Sequence, residues 1–249
     1  LDLLDSYNAK ATFFITGNNL GKGEIDVESN GWSAIIKRMY ISGHQVASHT
    51  WSHQDLSTLS TQQMQNQIYY NEMAFRNILG FFPQYMRPPY SSCNGACQDF
   101  LASTGYHVIY FDLDSEDYLH DDQNQIQISK NDITGNLSTR ANPSNNQWLV
   151  IEHDIHQQTA YNLTEHTLQQ FQSQGFRMVT VGDCLGDNRA NWYRRESDEP
   201  SPTNAPPLSS SNSGPLLMPS STTGQCGTYI GRTCQGSSFG NCCSAAGWW

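Results

Sequence analysis

The chain has 249 residues, and 13 Lys+Arg against 23 Asp+Glu leave a formal net charge of −10. That balance excludes nucleic acid as a partner, because phosphate binding needs clustered basic side chains that release counterions. No window approaches the roughly 18 consecutive apolar residues of a membrane span, and Asp2 and Asp5 interrupt the opening residues where a signal peptide would be apolar. Apolar residues reach only about 40% when Gly is counted and Tyr is not, below the roughly 45–50% of an ordinary domain, so part of the chain lies outside a packed core.

Helical and strand-like segments alternate over 1–196, the rhythm of an α/β domain with parallel strands. Leu1, Leu4 and Tyr7 suit the end of a helix, and 11–16 reads as a buried strand ending at Gly17. Trp32, Ile35, Ile36 and Met39 recur at helical spacing before Gly43 and a short strand at 44–48. Ser60 and Gln63 form a capping box for a long helix that buries Met64, Ile68 and Ile78 and stops at Gly80. Further strands are predicted at 84–86, 106–113, 147–152 and 176–181, with helices at 95–103 and 163–174, giving about six strands. Ser, Pro, Thr and Asn dominate 197–224, which cannot bury enough apolar surface to fold and reads as a flexible stalk.

Seven cysteines fall into three groups: Cys93 with Cys97, Cys184 alone, and Cys226, Cys234, Cys242 and Cys243 packed near the end. The terminal density reads as a small disulfide-stapled domain over 225–249 in an oxidising compartment. The sequons at Asn136 and Asn162 agree with secretion. The chain opens in mid-helix without Met and stops inside the cysteine cluster, so both ends are expected to be cut.

Residues with chemical potential recur just after strands: His49 and His53, then Arg87-Pro88-Pro89-Tyr90, then Asp114 to Tyr118, then His153-Asp154. Loops at the C-terminal ends of barrel strands build one site in a (β/α) barrel. On a helical turn, His49 and His53 at i and i+4 would share one face and suit Zn²⁺ or a similar divalent ion. The spacing equally allows two hydrogen-bonded surface histidines. Thr50 stands where a metalloprotease motif has Glu, which argues against a peptidase, and a base and a third ligand must come from another segment. Arg87 stands on a stiff proline platform that can fix a guanidinium and a backbone N–H. The alternative there is a Pro-rich turn, and for 114–118 a solvated acidic loop. A histidine at a strand end, His153, suits general acid work because its proton is available near neutral pH.

Taken in order over about 1–186, Thr12-Phe13-Phe14, Gly43-His44, His49-Thr50-Trp51-Ser52-His53, Arg87-Pro88-Pro89-Tyr90, Asp114-Ser115-Glu116-Asp117-Tyr118 and Ile151-Glu152-His153-Asp154 resemble the polysaccharide deacetylases of carbohydrate esterase family 4, most closely the fungal chitin deacetylases. The resemblance implies a deformed (β/α) barrel lacking its first strand. It implies His49 and His53 as metal ligands, Zn²⁺ first with Co²⁺ as an alternative, and Thr50 as a brace between them. It further implies Arg87 holding a base carboxylate, the Tyr90 N–H binding the oxyanion, and Asp117 orienting His153 as general acid. Tyr118 and Ile151 would line the substrate pocket; the family usually has Leu at the position of Ile151 and often Trp at that of Tyr118. The family's acidic pair, which supplies the base and the third ligand, would precede Leu1, so this polypeptide alone is expected to bind metal poorly and to have little activity.

The terminal cysteines resemble the hevein-type chitin-binding module of family 18, with Ser244 and Trp248 at sugar-contacting positions, Ala246 replacing an aromatic contact, and a Cys226–Cys243 pairing implied. A local Cys93–Cys97 disulfide is expected, leaving Cys184 to bridge to a residue before Leu1. The expected whole is a secreted, monomeric, metal-dependent enzyme that hydrolyses N-acetyl groups of chitin or chitin oligosaccharides, tethered by a stalk to a module that keeps it on chitin. Peptidoglycan or acetylxylan are the alternatives within the class. A chitin-binding protein whose barrel has lost its acids is the alternative outside it.

Overall fold

Short parallel strands, each feeding a loop at its C-terminal end, set the architecture in a computed structural model that describes residues 1–144 and 146–195. The stalk at 197–224 and the cysteine-rich segment at 225–249, with Ser244, Trp248 and the Cys226–Cys243 pairing, lie outside the described residues. A short helix α1 (Asp2–Ser6) leads into β1 (Thr12–Ile15), α2 (Trp32–Ile41) and β2 (Gln45–Ser48). The long α3 (Thr61–Leu79) then precedes β3 (Phe82–Pro83), β4 (Tyr85–Met86), α4 (Gly95–Ser103), β5 (His107–Val108) and β6 (Leu113–Asp114). After α5 (Ile126–Thr139) come β7 (Val150–Ile151), a π-turn (Thr159–Leu163), α6 (Thr164–Ser173), α7 (Val181–Cys184) and β8 (Tyr193–Arg194).

One ladder runs β1-β2-β4-β5, all parallel; β6 and β7 form a separate parallel pair, and β3 and β8 an antiparallel one. The α/β class with parallel strands is as expected, but closure into a barrel is not seen among the described residues. The predicted strand at 106–113 is two strands. Its middle leaves the ladder because the Arg87 guanidinium takes the carbonyls of Ile109 and Tyr110. No strand forms at 176–181: the Thr180 side chain accepts from the Asp183 N–H and starts α7 at Val181, and the Met178 carbonyl accepts from the Lys10 N–H before β1.

Two apolar clusters flank the ladder. Val46 packs with Ile36, Met39, Phe75 and Ile78 from α2 and α3, while Met86 packs with Leu56, Met64, Ile68 and Leu101. A third joins Leu113 to Ile126, Ile133 and Leu137 of α5 and Phe171 of α6, seating the β6–β7 pair. The α3 capping box forms as read, with Ser60 and Gln63 bonded reciprocally, and the helix ends at Gly80 in the left-handed conformation that glycine adopts without a Cβ clash. The Cys93–Cys97 disulfide ties the loop after β4 to α4, and Cys184 is a free thiol among the described residues. No helix among the described residues is long and apolar enough to cross a membrane.

Candidate active site

The parallel register decides which loops meet. Ser48 is level with Met86, so His49 and Arg87 emerge side by side; Asp114 is level with Ile151, so the turn bearing Asp117 opens beside His153. The Arg87 N–H donates to the Ser48 carbonyl and the His49 N–H to that of Ile15, fixing three strand ends together.

His49 and His53 come together with ring centroids 4.8 Å apart. They do so without the helical turn expected from their spacing: the segment is a loop in which Thr50 (φ 69°) and His53 (φ 57°) are left-handed. Such backbone is uncommon outside glycine and persists only where the surroundings over-determine it. Here the buried Thr50 hydroxyl accepts from the His53 N–H at 3.2 Å, and the Trp51 N–H and Ser52 N–H are taken by Gln67 of α3. The His49 Nδ1–H donates to the Arg87 carbonyl at 2.6 Å, which leaves its Nε2 lone pair for an external partner. Burial drives His49 down to about 3, and burial followed by the charge of His153 lowers His53, so both imidazoles are neutral at pH 7 as metal ligation requires. A bound divalent ion needs three or four protein ligands; these two fit, and no third His, Cys, Asp or Glu groups with them among the described residues.

Arg87 is buried, lies 4.2 Å over the Phe14 ring, and donates from Nε and Nη2 to the Ile109 and Tyr110 carbonyls at 3.2 and 2.9 Å. Burial lowers it to about 10, where it is still a cation at neutral pH. What it holds among the described residues is two carbonyls rather than a base carboxylate. Tyr90 is left-handed (φ 57°), and its exposed ring meets the His53 ring edge-on at 4.8 Å, a contact that spacing alone did not suggest.

Asp117 has no exposed surface and four donors. Its Oδ1 accepts from the Tyr118 N–H (3.0 Å) and His153 Nδ1–H (2.7 Å), its Oδ2 from the His153 N–H (2.6 Å) and the Thr159 hydroxyl (2.8 Å). Burial pushes the carboxyl up, but the bonds from His153 and Thr159 outweigh it and the net displacement is downward. With Nδ1 engaged as donor to Asp117, Nε2 is the His153 ring nitrogen left for another partner. Tyr118, 47% exposed, stands edge-on to the His153 ring at 5.4 Å. Ile151 is buried, and its carbonyl accepts from Ser115 Oγ across the strand pair. The charge of His153 contributes to lowering both His49 and His53.

Three further groups escaped sequence reasoning. Thr159 touches Asp117 from the π-turn. Glu152, pushed up to about 7 by burial, accepts from Thr164 and Thr167 of α6. His156, held at Nδ1 by Asp121 at 3.1 Å, lies with its ring 6.2 Å from that of His153. All sit within a short stretch around His153, and only proximity in sequence could have signalled them.

Residues 1–109 match the family described as Polysaccharide deacetylase, and the chain belongs to that family of hydrolases. It is 41% identical to the chitin deacetylase of Colletotrichum lindemuthianum over 78% of this chain and 76% of that one. It is 39% identical to a chitin deacetylase of Pestalotiopsis sp over 100% of this chain and 74% of that relative. The solved structure of the Colletotrichum lindemuthianum chitin deacetylase superposes with a TM-score of 0.73, covering 78% of this chain and 83% of the other.

Proposed function

We propose that this chain carries the site for metal-dependent hydrolysis of the N-acetyl groups of chitin, releasing acetate and leaving glucosamine units. The observation that carries it is the pairing of two neutral imidazoles, His49 and His53, after one set of parallel strands, with the Asp117–His153 hydrogen bond held after another. His49 and His53 would hold a divalent cation, Zn²⁺ or Co²⁺, which when bound would supply Lewis acidity toward the acetamide carbonyl and lower the pKa of water. His153 carries the proton on Nε2 and delivers it to the departing sugar amine, and Asp117 keeps the imidazole in that tautomer and orientation. The Tyr90 N–H donates to the developing oxyanion. Tyr118 and Ile151 flank the acetyl and sugar groups, and Arg87 rigidifies the platform from which Tyr90 projects. Two relatives named as chitin deacetylases support chitin as the substrate. The Cys93–Cys97 disulfide supports an extracellular, oxidising location. Ser244 and Trp248 would add contacts to the polymer.

With two candidate ligands among the described residues where three or four are usual, weak Zn²⁺ binding and slow turnover are expected of this polypeptide by itself. The test is acetate release from chitin oligomers with Zn²⁺ supplied and with chelator added. Release that the chelator abolishes, and that is lost in His49→Ala and His153→Ala, is the expected result. Chitin retention without any release at saturating Zn²⁺ would instead identify a binding protein on a deacetylase scaffold.

A further inference from the structure

We propose that Thr159 is a positioning residue of the Asp117–His153 pair, its hydroxyl fixing the rotation of the carboxylate that orients the imidazole. The kinetic consequence rests on the deacetylase reading; the structural one does not.

Three of the four donors to Asp117 come from its own turn or from His153 itself: the Tyr118 N–H, the His153 N–H and the His153 Nδ1–H. Thr159 is the one donor from a third element, the π-turn that opens α6. Thr159 is 1% exposed, so bulk water does not reach the carboxylate oxygen it serves. Without it, Oδ2 would keep only the His153 N–H, and a buried carboxylate with an unmet lone pair rotates or recruits a different partner. Either movement displaces Oδ1 from the imidazole.

The surroundings hold Thr159 firmly. The Thr164 hydroxyl lies between the Thr159 carbonyl, 3.0 Å away, and Glu152 Oε2, 2.7 Å away, and its single proton is shared between them. One residue earlier, the Gln158 N–H donates to Asp121, the carboxylate that holds His156. Insertion of a π-turn widens the helix start, and such turns concentrate where a side chain must be aimed. Here the aimed groups are Thr159 toward Asp117 and the Gln158 N–H toward Asp121.

The test compares Thr159→Val, Thr159→Ala and Thr159→Ser. Val preserves the volume; Ala and Ser both lose the methyl, and only Ser retains the donor. On chitin oligomers with Zn²⁺ supplied, Val and Ala should lower kcat about tenfold with KM within about twofold, and Ser should stay within about twofold of wild type. A second measurement needs no turnover: the His153 Nδ1–H proton, bonded to a buried carboxylate, should give a downfield, slowly exchanging resonance. It should persist in the Ser variant and be lost or shifted upfield in the Ala and Val variants. Should Val fail to fold, the Ala and Ser pair still isolates the hydroxyl. An Ala variant that keeps the wild-type resonance overturns the inference, and so does one that keeps the wild-type kcat. Absence of acetate release from the wild-type chain overturns the deacetylase reading instead, and the resonance then decides the role of Thr159.

Discussion

A carboxylate without exposed surface stays ionised only if its lone pairs are met by donors, and Asp117 meets all four. Asp117→Asn would place an NH₂ group against donors, leaving His153 in the wrong tautomer. We expect acetate release at saturating substrate to fall by about 10²–10⁴-fold, measured on protein whose circular dichroism matches wild type. Glu152 gives a pH prediction of definite sign. Burial holds its carboxyl at about 7 when folded, against an ordinary 4.5, so the folded state binds the extra proton. Its contribution to stability is fully present below 4.5 and is lost as pH rises through about 7. His49, held down at about 3 from an ordinary 6.5, acts oppositely: its contribution is present above 6.5 and is lost as pH falls through about 3. Comparing Glu152→Gln with wild type at each pH separates the two. Between about pH 5 and 7.5 wild type should lose up to about 3 kcal/mol relative to the variant, read from thermal or denaturant unfolding.

At the scale of elements, α3 supports the loop of His49 and His53: Gln67 takes the Trp51 and Ser52 N–H groups, while Asn71 bonds the Ile15 carbonyl and Ser48 Oγ. Loosening its start should therefore reach the site. Ser60→Ala removes the cap and should cost about 1 kcal/mol in denaturant unfolding. This helix was legible in the sequence because capping box, apolar spacing and terminal glycine agreed. The helix α5 was not read, since Ile126, Ile133 and Leu137 are its main apolar anchors and Gly135 lies within a largely polar run. The strand predicted at 106–113 failed for a tertiary reason, the claim of Arg87 on two carbonyls, and local pattern carries no trace of it. Of the site, His49, His53, Asp117 and His153 were visible through motif order after strands. The left-handed loop joining the histidines and the reach of Thr159 were not, because both depend on contacts across the fold.

For the whole molecule, under the proposed function the charge of −10 bears on the product rather than the substrate. Chitin is neutral, but each amide cleaved exposes an amine that takes up a proton in mildly acidic solution, so the polymer becomes a polycation as it is processed. Retention on chitosan should weaken markedly between about 0.05 and 0.5 M salt, whereas retention on chitin should change little, as a column or pull-down assay would show. Arg87 sets how the two halves of the described fold are joined. By capturing the Ile109 and Tyr110 carbonyls it ends the ladder at β5 and turns the backbone toward β6, which delivers the Asp117 turn. The guanidinium is in effect a seam between two sheets, and a forked donor is needed to close it. A lysine there would grip one carbonyl at a time, freeing amides at 109–112 to exchange with solvent and letting the turn that holds His153 drift from the loop of His49 and His53.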